Sequence, residues 1–346
     1  MTSRDHPRGL GLRAGEWVEV RSKAEILQSL DAHGQLEGLP FQPEMLSHCG
    51  QRLRVWKVAH KTCDTINKTG GRSMNNAVHL EGIRCDGSAH GGCQANCLLF
   101  WKEAWLKRPG DEGGISNSDQ SACTEEDIRR QVTREGRTDI DDPTWVCQIT
   151  RLYDATTPLS PLDFRQYVRD VTSGNLTLWK TTCILSYAGF RKLLNLGIGY
   201  RALLWSYNRW QSLTGGKPFP FASGLLPKGT RTPTGTLDLQ VGEWVRVKAA
   251  SEIRATLGPD SKNRGLSFDP EMVKHCGERY QVQRRVLQLI DEPTGKMIAM
   301  KHPCIVLRDV QCRGECTPQR YACPRAIDSY WREIWLERVE DSRGRS

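Results

Sequence analysis

The feature that most constrains how this chain can fold is an internal repeat. A shift of 227 residues, from 15 to 242, lays Gly15-Glu16-Trp17-Val18 on Gly242-Glu243-Trp244-Val245. The same register, without a gap, sets Pro43-Glu44-Met45 on Pro270-Glu271-Met272 and His48-Cys49-Gly50 on His275-Cys276-Gly277. After small length changes in the loops, Trp101-Lys102-Glu103-Ala104-Trp105-Leu106 matches Trp331-Arg332-Glu333-Ile334-Trp335-Leu336. Duplication of one folding unit produces such a match, and chance does not. With 346 residues the chain has room for two such units and a connecting segment, each with its own core.

Within each block the local signals mix strand and helix. Glu16 to Val20 alternates like a half-buried strand, and Ser22-x-x-Glu25 is a capping box that opens a short helix through Ile26, Leu27 and Leu30. Asp269 as N-cap and Pro270 as first helical residue start another short helix, which Gly277 ends as Gly50 does in the first block. Arg52 to Cys63 and Arg279 to Ile290 read as strands. Asp291-Glu292-Pro293-Thr294-Gly295 is a turn into a second strand ending at Leu307. Trp331, Ile334, Trp335 and Arg338, at i, i+3, i+4 and i+7, predict a closing amphipathic helix. The expected fold class is α+β: two homologous small modules, SH3-like barrels with added helices, joined by an α-helical segment. The boundaries follow as a first module at 10–108, an acidic linker with a short helix at 109–143, a central cationic helical segment at 144–217, a Pro/Gly-rich linker at 218–236 and a second module at 237–340.

The paired GEWV, GL-F-PEM, CG and W-[KR]-E-x-W-L motifs, with the stretch Asp163 to Asp170 between them, resemble a bacterial family of tandem-block proteins. The resemblance covers most of the chain and implies the tandem organisation. It brings no activity, cofactor or catalytic residue, so function must be read from the residues.

Thirteen cysteines form the strongest chemical signal. Met1 to Gly15 contains no apolar run of the kind a cleaved secretion signal needs, so a cytoplasmic location is expected, where cysteines serve as thiols or metal ligands rather than as a disulfide framework. Cys85, Cys93 and Cys97 fall in a glycine-rich loop, and Cys312, Cys316 and Cys323 occupy the same interval of the second block. Zinc takes four N or S ligands at tetrahedral corners, which short spacings in a flexible loop can supply. Adding the aligned pair Cys49 and Cys276 gives the tetrads Cys49, Cys85, Cys93, Cys97 and Cys276, Cys312, Cys316, Cys323, with His90 and Cys304 in reserve. Two zinc ions per chain are therefore expected, and four protein ligands on each would make them structural. The plainer alternative for Cys49 and Cys276 is core packing, since free cysteine behaves as a small hydrophobe.

Nothing else points to catalysis. GxSxG, P-loop, HExxH and strand-borne GxGxxG patterns are absent from the sequence. His48-Cys49 and His275-Cys276 are adjacent, but neighbours on a helix point about 100° apart and do not pair. Glu103 and Glu333 read as solvated carboxylates on a helix face.

The formal charge of +9 is concentrated. From Val171 to Leu237 no Asp or Glu occurs, while Lys180, Arg191, Lys192, Arg201, Arg209, Lys217, Lys228 and Arg231 supply eight cations among Trp179, Tyr187, Phe190, Tyr200, Trp205, Tyr207 and Trp210. A helix through Phe164, Tyr167 and Val168, with Ser160 as N-cap and Pro161 at N1, precedes this stretch. No apolar run is long enough to span a bilayer. Arg191, Lys192, Arg201 and Arg209 are the residues expected to meet an anionic partner, which is a membrane surface, a protein or a nucleic acid. The alternative is a helical pair neutralised within the protein by the acidic stretch from Gly110 to Pro143. The sequence thus leads to a non-enzymatic binding or scaffold protein built from two metal-stabilised modules, peripheral to a membrane if lipid is the partner. A nucleic-acid-binding protein using the cationic segment is the next reading, and an enzyme working through a cysteine or metal site the third.

Overall fold

In the computed structural model, which describes residues 9–111, 123–133, 142–318 and 320–339, two five-stranded antiparallel sheets carry most of the strand content. The first orders its strands Trp101–Lys102, Ala77–Leu80, Arg52–Val58, Trp17–Val20 and Leu106–Lys107. The second follows with Asp328–Trp331, Met297–Gln311, Arg279–Ile290, Trp244–Val247 and Leu336–Arg338. Read by sequence position, the strand order is the same in both. The class is α+β.

The tryptophan segment departs from expectation. Instead of an amphipathic helix, each copy is a short strand, a single 3-10 turn at Glu103–Trp105 or Glu333–Trp335, and a second short strand. A window of a few residues is too short for helical cooperativity, and ladder pairing such as Val20 with Leu106 and Val247 with Leu336 takes it instead. Both tryptophans of each copy still reach one core. Phe41 lies edge-on to Trp101 and Trp105 at 6.2 and 5.1 Å, and Phe268 to Trp331 and Trp335 at 6.3 and 5.5 Å. The turn also explains Glu103 and Glu333, which are buried and not solvated: Glu333 accepts from the backbone N–H of Leu237, Asp238 and Leu239, and Glu103 from that of Gly11.

The two strands flanking the turn lie at opposite edges of the first sheet. Four peptide steps reach at most about 14 Å, so the sheet must curl strongly. Its edges are not paired to each other, and the expected barrel is not closed.

The chain divides into two compact units. One gathers residues up to 181 with 288–298 and 322–325; the other gathers 182–287, 299–321 and the chain from 326 on. In the first unit the Ser22 box forms as read, with Ser22 N–H donating to Glu25 Oε2 at 2.9 Å and Glu25 N–H to Ser22 Oγ at 3.3 Å. The helix expected from Ser160 begins a turn later, at Arg165–Thr172. Ser160 Oγ accepts from Leu162 N–H in a preceding turn, and Asp163 takes the Arg165 N–H. In the cationic segment the helices Leu178–Asn195 and Tyr200–Thr214 form. Of the acidic stretch, Glu125–Arg130 is helical; residues 112–122 and 134–141 lie outside the described residues.

Candidate metal centre

The loop after Arg84 is built by its glycines. Gly87 has φ +74° and a Cβ there would meet the Cys93 carbonyl oxygen at 2.0 Å; at Gly91, φ +60°, it would meet the Trp145 ring at 2.5 Å. Only glycine allows both approaches. Asp86 Oδ1 accepts from Ser88 N–H, and His90 and Gly92 N–H both close on the Gly87 carbonyl. This tight turn drives the His90 ring inward to 1% exposure.

There the ring meets the PEM turn. Glu44, Cys85 and His90 are the one group among the described residues whose potential ligand atoms all lie within 4.8 Å of one another. Cys85 Sγ is 2.9 Å and His90 Nδ1 3.4 Å from Glu44 Oε1. Gln42 Nε2 donates to the same oxygen at 2.6 Å, and Gln42 Oε1 is held in turn by Gln148 N–H at 3.0 Å. Gln148 is itself fixed by Phe100 and Pro40.

The protonation logic favours a cation. His90 Nε2 lies 3.1 Å from the Val146 carbonyl, an acceptor, so that nitrogen carries a proton, and Nδ1 is the nitrogen that faces Glu44, where a metal ion would take the place of a second proton. Both Nδ1 and Glu44 Oε2 are buried without a hydrogen-bond partner. Burial pushes the Glu44 carboxyl up, but the His90 ring when protonated, with the Cys85 thiol, outweighs it and holds the group below its ordinary value, a role that a bound cation would take over. The Cys85 thiol goes the other way: burial raises it strongly, and the Glu44 carboxylate raises it further. Such a thiol is no nucleophile at neutral pH. A divalent ion would reverse that, stabilising the thiolate and satisfying both orphaned acceptors.

The second unit shows what the carboxylate needs. Glu271, the counterpart of Glu44, accepts from the backbone N–H of Arg313, Cys316 and Thr317, and Lys274 brings its ammonium to 3.4 Å. Lys274 stands where the first copy has Ser47, and a protein cation fills the role. No second ligand group occurs among the described residues.

The other expected ligands are distributed as follows. Cys49 is half-buried against the first core and is not in the Glu44 group; Cys93 and Cys97 lie in the same loop region but are not in it either. Cys276 packs on the second core, where burial pushes its thiol up to about 11. Cys312 N–H donates to Ile327, Cys316 N–H to Glu271, and Cys304 is buried beside Met300 and Arg332. Cys323 belongs to the first unit, whereas Cys276, Cys312 and Cys316 belong to the second. His48 and His275 turn to Gln51 and Tyr280, not to the adjacent cysteines. The sequence reading missed Glu44, whose signal was the repeated PEM, and Gln42 and Gln148, which carry none.

In the cationic segment Arg191 is half-buried and donates to the Cys316 carbonyl at 3.3 Å. Lys217 pairs with Glu278 at 2.7 Å; exposed Lys192, Arg201 and Arg209 have no such partner among the described residues. Trp205 and Trp210 are 69% and 64% exposed, and Ile198 and Leu213 are exposed with them. No helix among the described residues is long and apolar enough to cross a membrane.

No family model and no curated protein matches this chain.

Proposed function

We propose that the chain is a non-enzymatic binding protein that docks on an anionic membrane surface through the Tyr200–Thr214 helix, with a zinc ion at Glu44, Cys85 and His90 stabilising the first of two repeated modules. The observation that carries the docking is the exposed face of that helix, where Trp205, Trp210 and Leu213 share the surface with Arg201 and Arg209. Leaving two tryptophans in water is unfavourable by roughly 25 cal/mol per Å² of apolar area, and the interfacial layer of a bilayer accepts indole rings while its anionic headgroups meet the guanidinium groups. Arg191, engaged with Cys316, is a structural member of the segment rather than a contact.

Zinc is favoured at the centre because a nitrogen, a thiolate and a carboxylate form a mixed donor set that it accepts readily. Glu44, Cys85 and His90 would hold it and Gln42 would orient the carboxylate; the ion would tie the glycine loop to the PEM turn.

The test is co-flotation of the full chain with vesicles of mixed phosphatidylcholine and phosphatidylserine at low and high salt. Binding at low salt that falls at least tenfold with salt, and with Trp205→Ser/Trp210→Ser, supports the reading. No flotation at low salt sinks it. A gel shift with mixed nucleic acid in place of flotation would move the segment to the nucleic-acid reading.

A further inference from the structure

The helix Arg165–Thr172, in the first unit, is amphipathic the wrong way round. Residues two apart lie about 200° apart on a helix, so Phe164, Val168 and Val171 line one side and Gln166, Asp170 and Ser173 the other. The polar side is the buried one: Asp170 is fully enclosed, and Gln166 and Ser173 are buried with it. Val171 is half-buried, but the rest of the apolar side meets water. Phe164 is 67% and Val168 63% exposed, and Leu162, in the turn that leads into the helix, is 66% exposed.

Specific contacts hold the helix in this orientation. Buried Lys61 donates to Asp170 Oδ2 at 2.6 Å and stands 4.6 Å from the centre of the Tyr167 ring, and His60 Nε2 donates to the Gln166 carbonyl at 3.2 Å. Past the helix end, the Asn175 side chain accepts from Val58 N–H and donates to the Val58 carbonyl, each at 2.8 Å, and the Ser173 carbonyl takes the Ala14 N–H. Rolling the helix over to bury Phe164 and Val168 would leave the Lys61 ammonium enclosed without its counter-ion, which is strongly unfavourable. The fold therefore enforces the exposure of the apolar side, and such a side marks contact with something outside the chain.

Area and charge select the partner. Three side chains about two-thirds exposed offer on the order of 300 Å², well short of the roughly 800 Å² that each partner of a stable protein complex covers. A lipid surface needs no such area, because a short apolar face sinks into the headgroup boundary while nearby cations meet anionic lipid. Residues 160–180 carry three exposed cations, Arg165, Arg169 and Lys180, against two carboxylates: Asp170, already neutralised by Lys61, and half-buried Asp163, paired with Arg165 at 2.9 Å. We propose that this helix is a second lipid contact, in which Leu162, Phe164 and Val168 enter the headgroup boundary of an anionic bilayer and Arg165 and Arg169 flank them at the headgroups. The proposal rests on the reading of the chain as a lipid-surface protein, but not on the Tyr200–Thr214 helix being the part that docks.

The test is co-flotation of the full chain with phosphatidylcholine–phosphatidylserine vesicles at low salt, for the unaltered protein, Phe164→Ser/Val168→Ser, Phe164→Trp and Trp205→Ser/Trp210→Ser. The serine pair at 164 and 168 should lower vesicle affinity at least fivefold, and Phe164→Trp should raise it at least twofold, because indole settles in the interfacial layer. The gain in Phe164→Trp is a result that a misfolded variant would not give. Unchanged affinity in either Phe164 variant overturns the proposal. If only the Trp205/Trp210 variant loses binding, docking through Tyr200–Thr214 stands and this contact falls; if only the Phe164/Val168 variant does, the reverse holds. No flotation of the unaltered chain overturns both.

Discussion

His79 ties the stability of the first unit to pH. It sits fully buried in the strand Ala77–Leu80, with Nδ1 2.9 Å from the Leu99 carbonyl and its ring 4.5 Å from that of Phe100. Burial lowers its affinity for a second proton, and the positive charges of Arg325, Arg84 and Lys57 lower it further, to a value of about 4. Above pH 6.5 the ring is neutral whether the chain is folded or not. Below it the unfolded chain takes up a proton that folded His79 refuses until about pH 4, so stability is present at neutral pH and lost on acidification. Each tenfold difference in proton affinity between the folded and unfolded chain is worth about 1.36 kcal/mol, and linkage gives a loss of about 2 kcal/mol at pH 5 and about 3 kcal/mol once pH is well below 4. In His79→Asn the amide keeps a donor for Leu99 but cannot titrate. The smaller side chain should cost about 1–2 kcal/mol at pH 7.5, and the gap to the unaltered chain should shrink to roughly nothing at pH 5. Urea unfolding at pH 7.5, 6.5 and 5.0, read by fluorescence of tryptophans such as buried Trp101 and Trp105, measures it. His60, which burial and then Lys61 depress to about 3, titrates alike in both proteins and cancels. A gap that stays constant within about 0.5 kcal/mol across that range would refute the reasoning.

Three further outcomes are expected. Gln148→Ala removes the side-chain bonds to Phe100 and Pro40 and should lower stability by about 2–4 kcal/mol in denaturant titration; it should also weaken zinc retention, because the backbone N–H that holds Gln42 loses the side-chain anchors of its turn. Glu333→Gln puts an amide among the three N–H groups that converge on the carboxylate and should cost about 2–3 kcal/mol; a change under about 0.5 kcal/mol would contradict the role given to that carboxylate. Cys49→Ser should cost about 1 kcal/mol and leave metal content unchanged, since Cys49 stands outside the Glu44 group; elemental analysis showing a lost equivalent would return Cys49 to the ligand set.

Signals confined to a few neighbouring residues were legible in the sequence. The capping box at Ser22, the strand from Arg279 to Ile290, the positive φ of Gly50 and Gly277 and the paired helices of the acid-free stretch depend on backbone preferences that a short window contains. The tryptophan segment was misread because its i, i+4 spacing fits a helix as well as a strand, turn and strand; the partner strands decide, and they lie far along the chain. The candidate centre divides the same way. His90 and Cys85 announced themselves as ligand types in one loop, but Glu44 comes from a turn about forty residues earlier. Composition and spacing determined that this chain carries cysteine-rich loops and a cationic, aromatic helical pair. The lysine three residues after Glu271, where the first copy has Ser47, was legible in the repeat register, whereas the meeting of Glu44 with Cys85 and His90 was decided by tertiary packing alone, because proximity between distant residues is set by the core that brings their segments together and leaves no periodicity in the sequence.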